Sequence, residues 1–153
     1  MPDLDMLTPR DREIVELLIQ GYSNKAIAEA LGIGLSPVKN HIRTAARKMG
    51  MNATYRPTRS RIAIVRHYGN FPVPQGEVVA PESWLSLTNQ EKSIVGFIVN
   101  NMSNADIGKE IGRGEGRVKN LIKEICNKTG MFSRLELTVW YGRIFGFAKN
   151  END

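Results

Sequence analysis

The chain repeats itself at an offset of 80 residues. Aligned without a gap, residues 7–51 and 87–131 are identical at 16 of 45 positions. The identities are mostly apolar residues, hydroxyl residues at the starts of helices, and glycines at turns. Such a repeat is typical of one supersecondary unit formed by each copy. Since 153 residues suffice for two small domains, we expect one fold to occur twice.

Each copy has the pattern of several short helices. In the first copy, Thr8 followed by Asp11 resembles a capping box at the start of a helix. A second short helix ends at the tight turn Gly32–Gly34, and a basic third helix follows. Two short helices, a glycine turn and a basic third helix make a helix-turn-helix. A fourth helix is predicted at RIAIVRHYG from Arg61, with a counterpart at RLELTVWYG from Arg134.

The predicted fold class is therefore all-α, with two tandem four-helix helix-turn-helix domains joined by a proline-rich linker. We place the first domain at residues 1–69, the linker at 70–86 and the second domain at 87–153. The linker NFPVPQGEVVAPESWLS has three prolines and no helical period. Val78, Val79 and Trp84 are too apolar for a freely solvated linker, so part of it is expected to lie against a domain.

The third helix of each copy is amphipathic. In the first copy, Val38, Ile42, Ala45 and Met49 recur at helical spacing and are expected to be buried. The opposite face carries Lys39, Asn40, Arg43 and Arg47. The second copy is expected to bury Val118, Ile122 and Ile125 and to expose Lys119, Asn120, Lys123 and Asn127. Lysine, asparagine and arginine side chains carry donors that suit phosphates and the base edges of a major groove.

The distribution of charge favours nucleic acid as the partner. The net charge is +5, and residues 30–76 contain no Asp or Glu but eight Lys and Arg. This basic stretch attracts a polyanion in a salt-dependent way. It is interrupted by Gly, Pro and turn residues, whereas a membrane-surface helix is long and amphipathic. The acidic start MPDLDMLTPRDRE is not a signal peptide, and we expect a cytoplasmic protein without membrane contact.

We find no catalytic, cofactor or metal pattern. A single Cys126 and two histidines at unrelated spacings predict no metal site and no internal disulfide. Paired carboxylates and a nucleophile beside a base are not recognisable, so no enzyme is predicted and no cofactor is expected. Gly112, Gly114 and Gly116 lie between two predicted helices instead of after a strand, and the turn of the helix-turn-helix explains them.

The stretch LTPRDREIVELLIQGYSNKAIAEALGIGLSPVKNHIRTAARKMGM resembles the LuxR-type (GerE-type) helix-turn-helix domain. The family pattern runs L-T-x-R-E, then G-x-S-N-K-x-I-A, then T-V-K-x-H. The second repeat resembles a more divergent copy of the same domain. The resemblance implies a four-helix domain in a bacterial regulator, whose third helix enters the major groove and whose fourth helix commonly forms a dimer interface. His41 of the motif is Leu121 in the second copy, which indicates a packing position.

The resemblance also implies roles for individual residues. Base contacts are expected from Lys39, Asn40, Arg43, Lys119, Asn120 and Lys123. Phosphate contacts are expected from Ser23, Asn24, Lys25, Ser36, Arg47, Arg59, Arg61, Asn104 and Arg117. An interface formed by the fourth helices is expected to include Ile62, Val65, Leu135, Val139, Trp140, Ile144 and Phe147. For the apolar residues of the last helix, completion of the second core stays open as an equal alternative.

We therefore predict a sequence-specific DNA-binding transcriptional regulator with two fused reading heads. Its two heads can act as an internal pseudo-dimer, and a true homodimer through the last helix stays open as an alternative. A different class of function is an interaction protein that binds RNA polymerase or other regulators through its apolar fourth helices. A mixed form, with the first repeat on DNA and the second on a partner, also stays open.

Overall fold

The computed structural model describes residues 4–48, 50 and 57–147, and only the backbone at residues 4 and 57–60. Every regular element in this part of the chain is a helix, so the predicted all-α class is confirmed. The elements are a 3-10 helix at Leu4–Met6 and the α-helices α1 (Pro9–Ile19), α2 (Asn24–Leu31), α3 (Leu35–Lys48), α4 (Pro57–Tyr68), α5 (Glu82–Leu85), α6 (Asn89–Val99), α7 (Asn104–Ile111), α8 (Glu115–Thr129) and α9 (Arg134–Phe145). Within these residues, no helix has both the length and the apolar character that crossing a bilayer requires.

The described residues divide into two compact units. Those up to Val73, together with Phe147, form unit 1. Pro74–Gly146 form unit 2. Each unit contains one copy of the sequence repeat and has its own buried core.

In unit 1 the predicted start signals are confirmed. The Thr8 hydroxyl accepts a hydrogen bond from the Asp11 amide at 3.1 Å, and the Asp11 carboxylate accepts one from the Thr8 amide at 3.3 Å. This reciprocal pair is the expected capping box of α1. Ser23 caps α2 through its hydroxyl, which accepts a hydrogen bond from the Ala26 amide. At the other end of α2, Gly32 has φ 66°, a left-handed conformation that glycine adopts without a steric cost.

The core of unit 1 is formed by one apolar face from each of its four helices. Its central residues are Ile14, Val15 and Leu18 of α1, Ile27 of α2, Val38 and Ile42 of α3, and Ile64 and Val65 of α4. Helix α4 packs against both α1 and α3. This arrangement keeps the third helix fixed on its apolar side and leaves its polar side outward.

Unit 2 repeats the local structure of unit 1. Thr88 and Glu91 form the capping box of α6, with hydrogen bonds of 3.1 and 2.9 Å. Ser103 caps α7, and Gly112 ends it with φ 69°. The equivalent turn in both units is therefore made with the same left-handed glycine.

The last helix is packed differently in the two units. Helix α9 packs mainly against α6, whereas α4 contacts both α1 and α3. The lengths of the connections account for this difference in packing, because four residues separate α8 from α9 and eight separate α3 from α4. A shorter connection reaches less far, so the last helix takes another position on the unit.

The predicted linker contains a helix that its sequence pattern did not indicate. Residues Glu82–Leu85 form α5, whose Trp84 ring packs against Trp140, Tyr141 and Phe145 of α9. The expectation that part of the linker lies against a domain is thus confirmed for Trp84. It is wrong for Val79, whose side chain is 92% exposed.

Candidate nucleic-acid interface

Helix α3 has the buried and exposed faces that its sequence predicts. Val38, Ile42 and Ala45 are at most 2% exposed, and Met49 lies outside the described residues. Their positions fix the helix on the core, and the opposite face is left to solvent. Its exposed polar residues are Ser36, Lys39, Asn40, Arg43 and Arg47. The three side chains expected to read bases therefore lie together on one accessible surface.

A buried carboxylate holds α3 against α1. Asp11 is 1% exposed, and its Oδ1 lies 2.7 Å from Nδ1 of His41. Its Oδ2 accepts a hydrogen bond from Nζ of Lys48 at 3.2 Å. Burial raises the pKa of Asp11, but the hydrogen bonds from His41, Thr8 and Lys48 outweigh burial and hold this pKa below its ordinary value. Asp11 is thus an ionised anchor for two residues of the candidate reading helix.

The position of His41, interpreted from the sequence as a packing position, also carries a polar contact. Its ring is half-buried and contacts the Asp11 carboxylate, which lies 30 residues away in sequence. Leucine in the second copy suggested an apolar role for this position. The structure instead places a polar contact here, and the second copy replaces it with apolar burial of Leu121.

Unit 2 has the carboxylate–lysine contact of this anchor and lacks the histidine contact. Glu91 is 3% exposed, and its Oε1 accepts a hydrogen bond from Nζ of Lys128 at 2.7 Å. Burial raises the pKa of Glu91, but the bonds from Lys128 and Thr88 outweigh it and hold the pKa below its ordinary value. Within the described part of the chain, Oε2 of Glu91 is buried without a hydrogen-bond partner. Leu121 has no polar group to supply one.

The start of α2 carries three of the expected phosphate contacts. Lys25 is exposed, while the Ser23 hydroxyl is occupied by the helix cap and accepts from the Ala26 amide at 3.1 Å. Oδ1 of Asn24 is buried and has no hydrogen-bond partner among the residues described. Of the three, Lys25 is therefore the side chain that is most available to a ligand.

Arg61 is held inside unit 1. One of its guanidinium nitrogens donates to the Tyr22 carbonyl at 3.4 Å, and desolvation by burial lowers its pKa. In unit 2, Arg134 makes the equivalent hydrogen bond to the Met102 carbonyl at 2.5 Å. The first residues of the predicted fourth helices thus join these helices to the start of the helix-turn-helix in each unit. Arg59, another expected phosphate contact, has a side chain outside the described part of the structure.

The candidate reading face of unit 2 differs from that of unit 1. Lys119, Asn120 and Lys123 are exposed on α8 as expected. The expectation that Ile122 is buried is wrong, because Leu121 takes the core position and Ile122 is only half-buried. Arg117 is exposed and its guanidinium lies 3.9 Å from the Glu124 carboxylate, a solvated ion pair that is weak but lowers the local positive charge.

A surface depression of about 540 Å³ lies on this face of unit 2. Its lining includes Asn104, Lys119, Asn120, Ile122, Lys123 and Arg134. Two exposed lysines and an arginine thus surround a half-exposed isoleucine. Oδ1 of Asn104 is buried and, among the described residues, has no hydrogen-bond partner, as for Asn24 in unit 1.

The expected interface residues are mostly core residues. Ile62, Val65, Leu135 and Val139 are 0–3% exposed within their own units. A side chain with so little exposed area cannot contribute to a surface between molecules, so the interface prediction is wrong for these four. Trp140 and Ile144 are half-buried in α9. Phe147 is half-buried in unit 1, where its ring centre lies 5.6 Å from that of Phe71.

Comparison with known proteins identifies the first repeat. Residues 5–56 match the family GerE, described as "Bacterial regulatory proteins, luxR family". The chain therefore contains one GerE/LuxR-type helix-turn-helix domain at these residues. The match covers about a third of the chain and lies within the first predicted domain, residues 1–69. No solved structure matches the chain.

Several bacterial proteins are similar over the same region. The transcriptional regulatory protein MctR of Rhizobium johnstonii is 44% identical over 50 residues, which are 33% of this chain and 23% of MctR. The nitrate/nitrite response regulator protein NarL of Escherichia coli K12 is 43% identical over 51 residues, 33% of this chain and 24% of NarL. The spore germination protein GerE of Bacillus subtilis is 46% identical over 46 residues, 30% of this chain and 62% of GerE. The matched region thus spans less than a quarter of the first two relatives.

Proposed function

We propose that the chain is a sequence-specific DNA-binding transcriptional regulator and that α3 enters the major groove. The observation that carries this proposal is the face of α3, which exposes Lys39, Asn40 and Arg43 within a GerE/LuxR-type domain. The names of the similar proteins are those of regulators, and they suggest no catalytic activity.

Each exposed side chain has a specific chemical role in this proposal. Arg43 can donate two hydrogen bonds to guanine, Asn40 can pair with adenine, and Lys39 can donate to guanine acceptors. Ser36, Arg47 and Lys25 are exposed beside this face and would contact phosphates, which fix the register on the duplex without reading sequence. The acid-free sequence from residue 30 to 76 favours such contacts, because no carboxylate there repels the backbone.

We also propose that the chain has two fused reading heads, with α8 as the second reading helix. The support is the shared helix order and the repeated capping boxes at Thr8 and Thr88. The carboxylate–lysine anchor also recurs, as Asp11 with Lys48 and Glu91 with Lys128. Since the reading faces differ at Arg43 and Lys123, two heads would read an imperfect palindrome, within one chain or in a homodimer.

A second candidate function applies to unit 2 alone. Glu115 and Glu124 lie on α8, where their carboxylates would repel a phosphate backbone. Glu124 is also paired with Arg117. The half-exposed Ile122 adds an apolar group that suits a protein partner, such as RNA polymerase or another regulator. In this form, unit 1 binds DNA and unit 2 binds the partner.

Selection from a random DNA pool tests these proposals. The purified chain is mixed with random duplexes at two salt concentrations, and the retained DNA is sequenced. Two fused heads predict a motif with two half-sites, and a DNA-binding unit 1 beside a partner-binding unit 2 predicts one half-site. If no sequence is enriched, the proposal of a sequence-specific reader is wrong. The higher salt concentration removes non-specific binding, which depends on phosphate contacts.

A further inference from the structure

The lining of the depression on unit 2 combines basic side chains with an apolar one. Lys119 and Lys123 are exposed residues of this lining, and neither has an ion pair among the described residues. Ile122 is a half-exposed residue of the same lining, at the repeat position where unit 1 buries Ile42. A matching ligand therefore carries an apolar group beside an anionic one.

Helix α5 of the same unit carries that combination on its free side. Leu85 is 63% exposed and Glu82, one helical turn before it, is also exposed. In the described part of the chain Glu82 has no ion pair. Residues three apart on a helix are neighbours, so the leucine and the carboxylate form one small patch. Nearby, Val79 and Glu77 add a second exposed pair of the same kind.

We propose that α5 of one molecule docks into the depression of a second copy of this chain. Leu85 would cover Ile122, and Glu82 would pair with Lys123. The charges favour a second copy because both complementary sets occur in one unit and both are unpaired there. Trp84 keeps α5 on the aromatic face of its own α9, with ring centres 4.9–5.9 Å apart, so Leu85 remains turned toward solvent.

Two such contacts form when the molecules are related by a twofold axis, because each copy then donates one α5 and accepts another. Each contact involves only a short helix, which places the dimer among the small, transient interfaces below about 1,200 Å². The contact joins opposite charges at the surface, so added salt weakens it. We therefore expect a weak, salt-sensitive dimer.

Sedimentation velocity of the full chain tests this contact. At low salt, the mass should rise from the monomer value of 17.1 kDa toward twice that value as the protein concentration increases. The charge reversals Glu82→Lys and Lys123→Glu should each raise the dimer dissociation constant at least about tenfold, because like charges then face each other. The double variant Glu82→Lys/Lys123→Glu should return to within about threefold of the unchanged protein, since opposite charges are restored.

Matched controls are available on α7, where Lys109 and Glu110 are exposed and do not line the depression. Lys109→Glu and Glu110→Lys should leave the dissociation constant unchanged within about twofold, because a change in net charge alone acts weakly. A protein that stays at 17.1 kDa at about 1 mM, or a double variant that fails to recover, overturns the proposal.

One consequence rests on the proposed function of α8. If Lys119 and Lys123 also read DNA, a specific duplex and a second copy compete for them, and the duplex should dissociate the dimer. Dimers that persist on the duplex would contradict the reading role of α8 and leave the α5 contact supported. The recovery of dimerisation by the double variant is measured without any duplex, so the test of the α5 contact does not depend on the test of DNA reading by α8.

Discussion

Nδ1 of His41 on α3 lies 2.7 Å from Oδ1 of Asp11 on α1, and this contact ties the candidate reading helix to the helix behind it. Asp11 is at once the N3 residue of a capping box and the partner of His41 and Lys48. One buried carboxylate thus serves the start of α1 and the position of α3. Its removal should affect the fold of unit 1 and, through α3, DNA binding.

Asp11→Asn should destabilise unit 1 by about 1–3 kcal/mol, because charge-assisted hydrogen bonds are lost from a buried group. Both tryptophans, Trp84 and Trp140, lie in unit 2, so tryptophan fluorescence follows that unit alone, while circular dichroism follows both. In urea, the dichroism transition should shift to lower concentration and the fluorescence transition should not. Equal shifts of both signals would contradict a role confined to unit 1.

Acid should destabilise unit 2 through Glu91. Its pKa is held below the ordinary value of 4.5 in the folded protein, so the folded state favours the ionised form. This stabilisation is complete above pH 4.5 and is lost as the pH falls through the lower folded-state pKa. At pH values below about 4.5, the urea concentration at the midpoint of the tryptophan-fluorescence transition should therefore decrease.

The matched variant for this titration is Glu91→Gln, which cannot ionise. Its urea midpoint should be lower at neutral pH and should change less between neutral and acidic pH than that of the unchanged protein. If both proteins show the same pH dependence, other carboxylates account for acid unfolding and the role given to Glu91 is wrong.

Trp84→Ala should destabilise unit 2 by about 2–3 kcal/mol. This loss is smaller than the loss of about 3–5 kcal/mol for a fully buried aromatic residue, because Trp84 is only half-buried. Its ring centre lies 4.9–5.9 Å from three aromatic rings of α9, which lose a partner. The remaining Trp140 reports the urea transition. Leu85→Ala on the same helix is the control, since an exposed side chain should change stability by less than about 0.5 kcal/mol.

The repeat, the caps and the exposed face of α3 were predictable because they depend on local sequence. Thr8 with Asp11 and the left-handed Gly32 carry short-range signals. The burial of Leu121 in place of Ile122 was not predictable from periodicity, since neighbouring apolar residues fit a helical stripe almost equally well.

Long-range contacts were also missed. The bond between Asp11 and His41 joins residues 30 apart, and Trp84 meets α9 more than 50 residues later. Apolar residues of the last helix indicated either an interface or a core, and only packing decides between them. A signal for the anchors was present, because Asp11 with Lys48 and Glu91 with Lys128 recur at the repeat offset.

Arg43→Ala should relax the sequence preference of DNA binding, whereas Lys25→Ala should not. A bidentate arginine contact to guanine discriminates against the wrong base by about 1–3 kcal/mol. Loss of a phosphate contact instead weakens binding to all sequences and reduces the slope of log affinity against log salt by about 1. Both side chains are exposed and lie in unit 1, which makes the pair a matched comparison.

The measurement is a titration of each variant with the selected duplex and with single-base changes of it, at several salt concentrations. For Arg43→Ala, the affinities for the different duplexes should differ less from one another than they do for the unchanged protein. For Lys25→Ala, these differences in affinity should stay the same, while the slope of log affinity against log salt becomes flatter. If the Arg43→Ala protein keeps its full sequence preference, the exposed side of α3 contributes only charge and another face reads the bases.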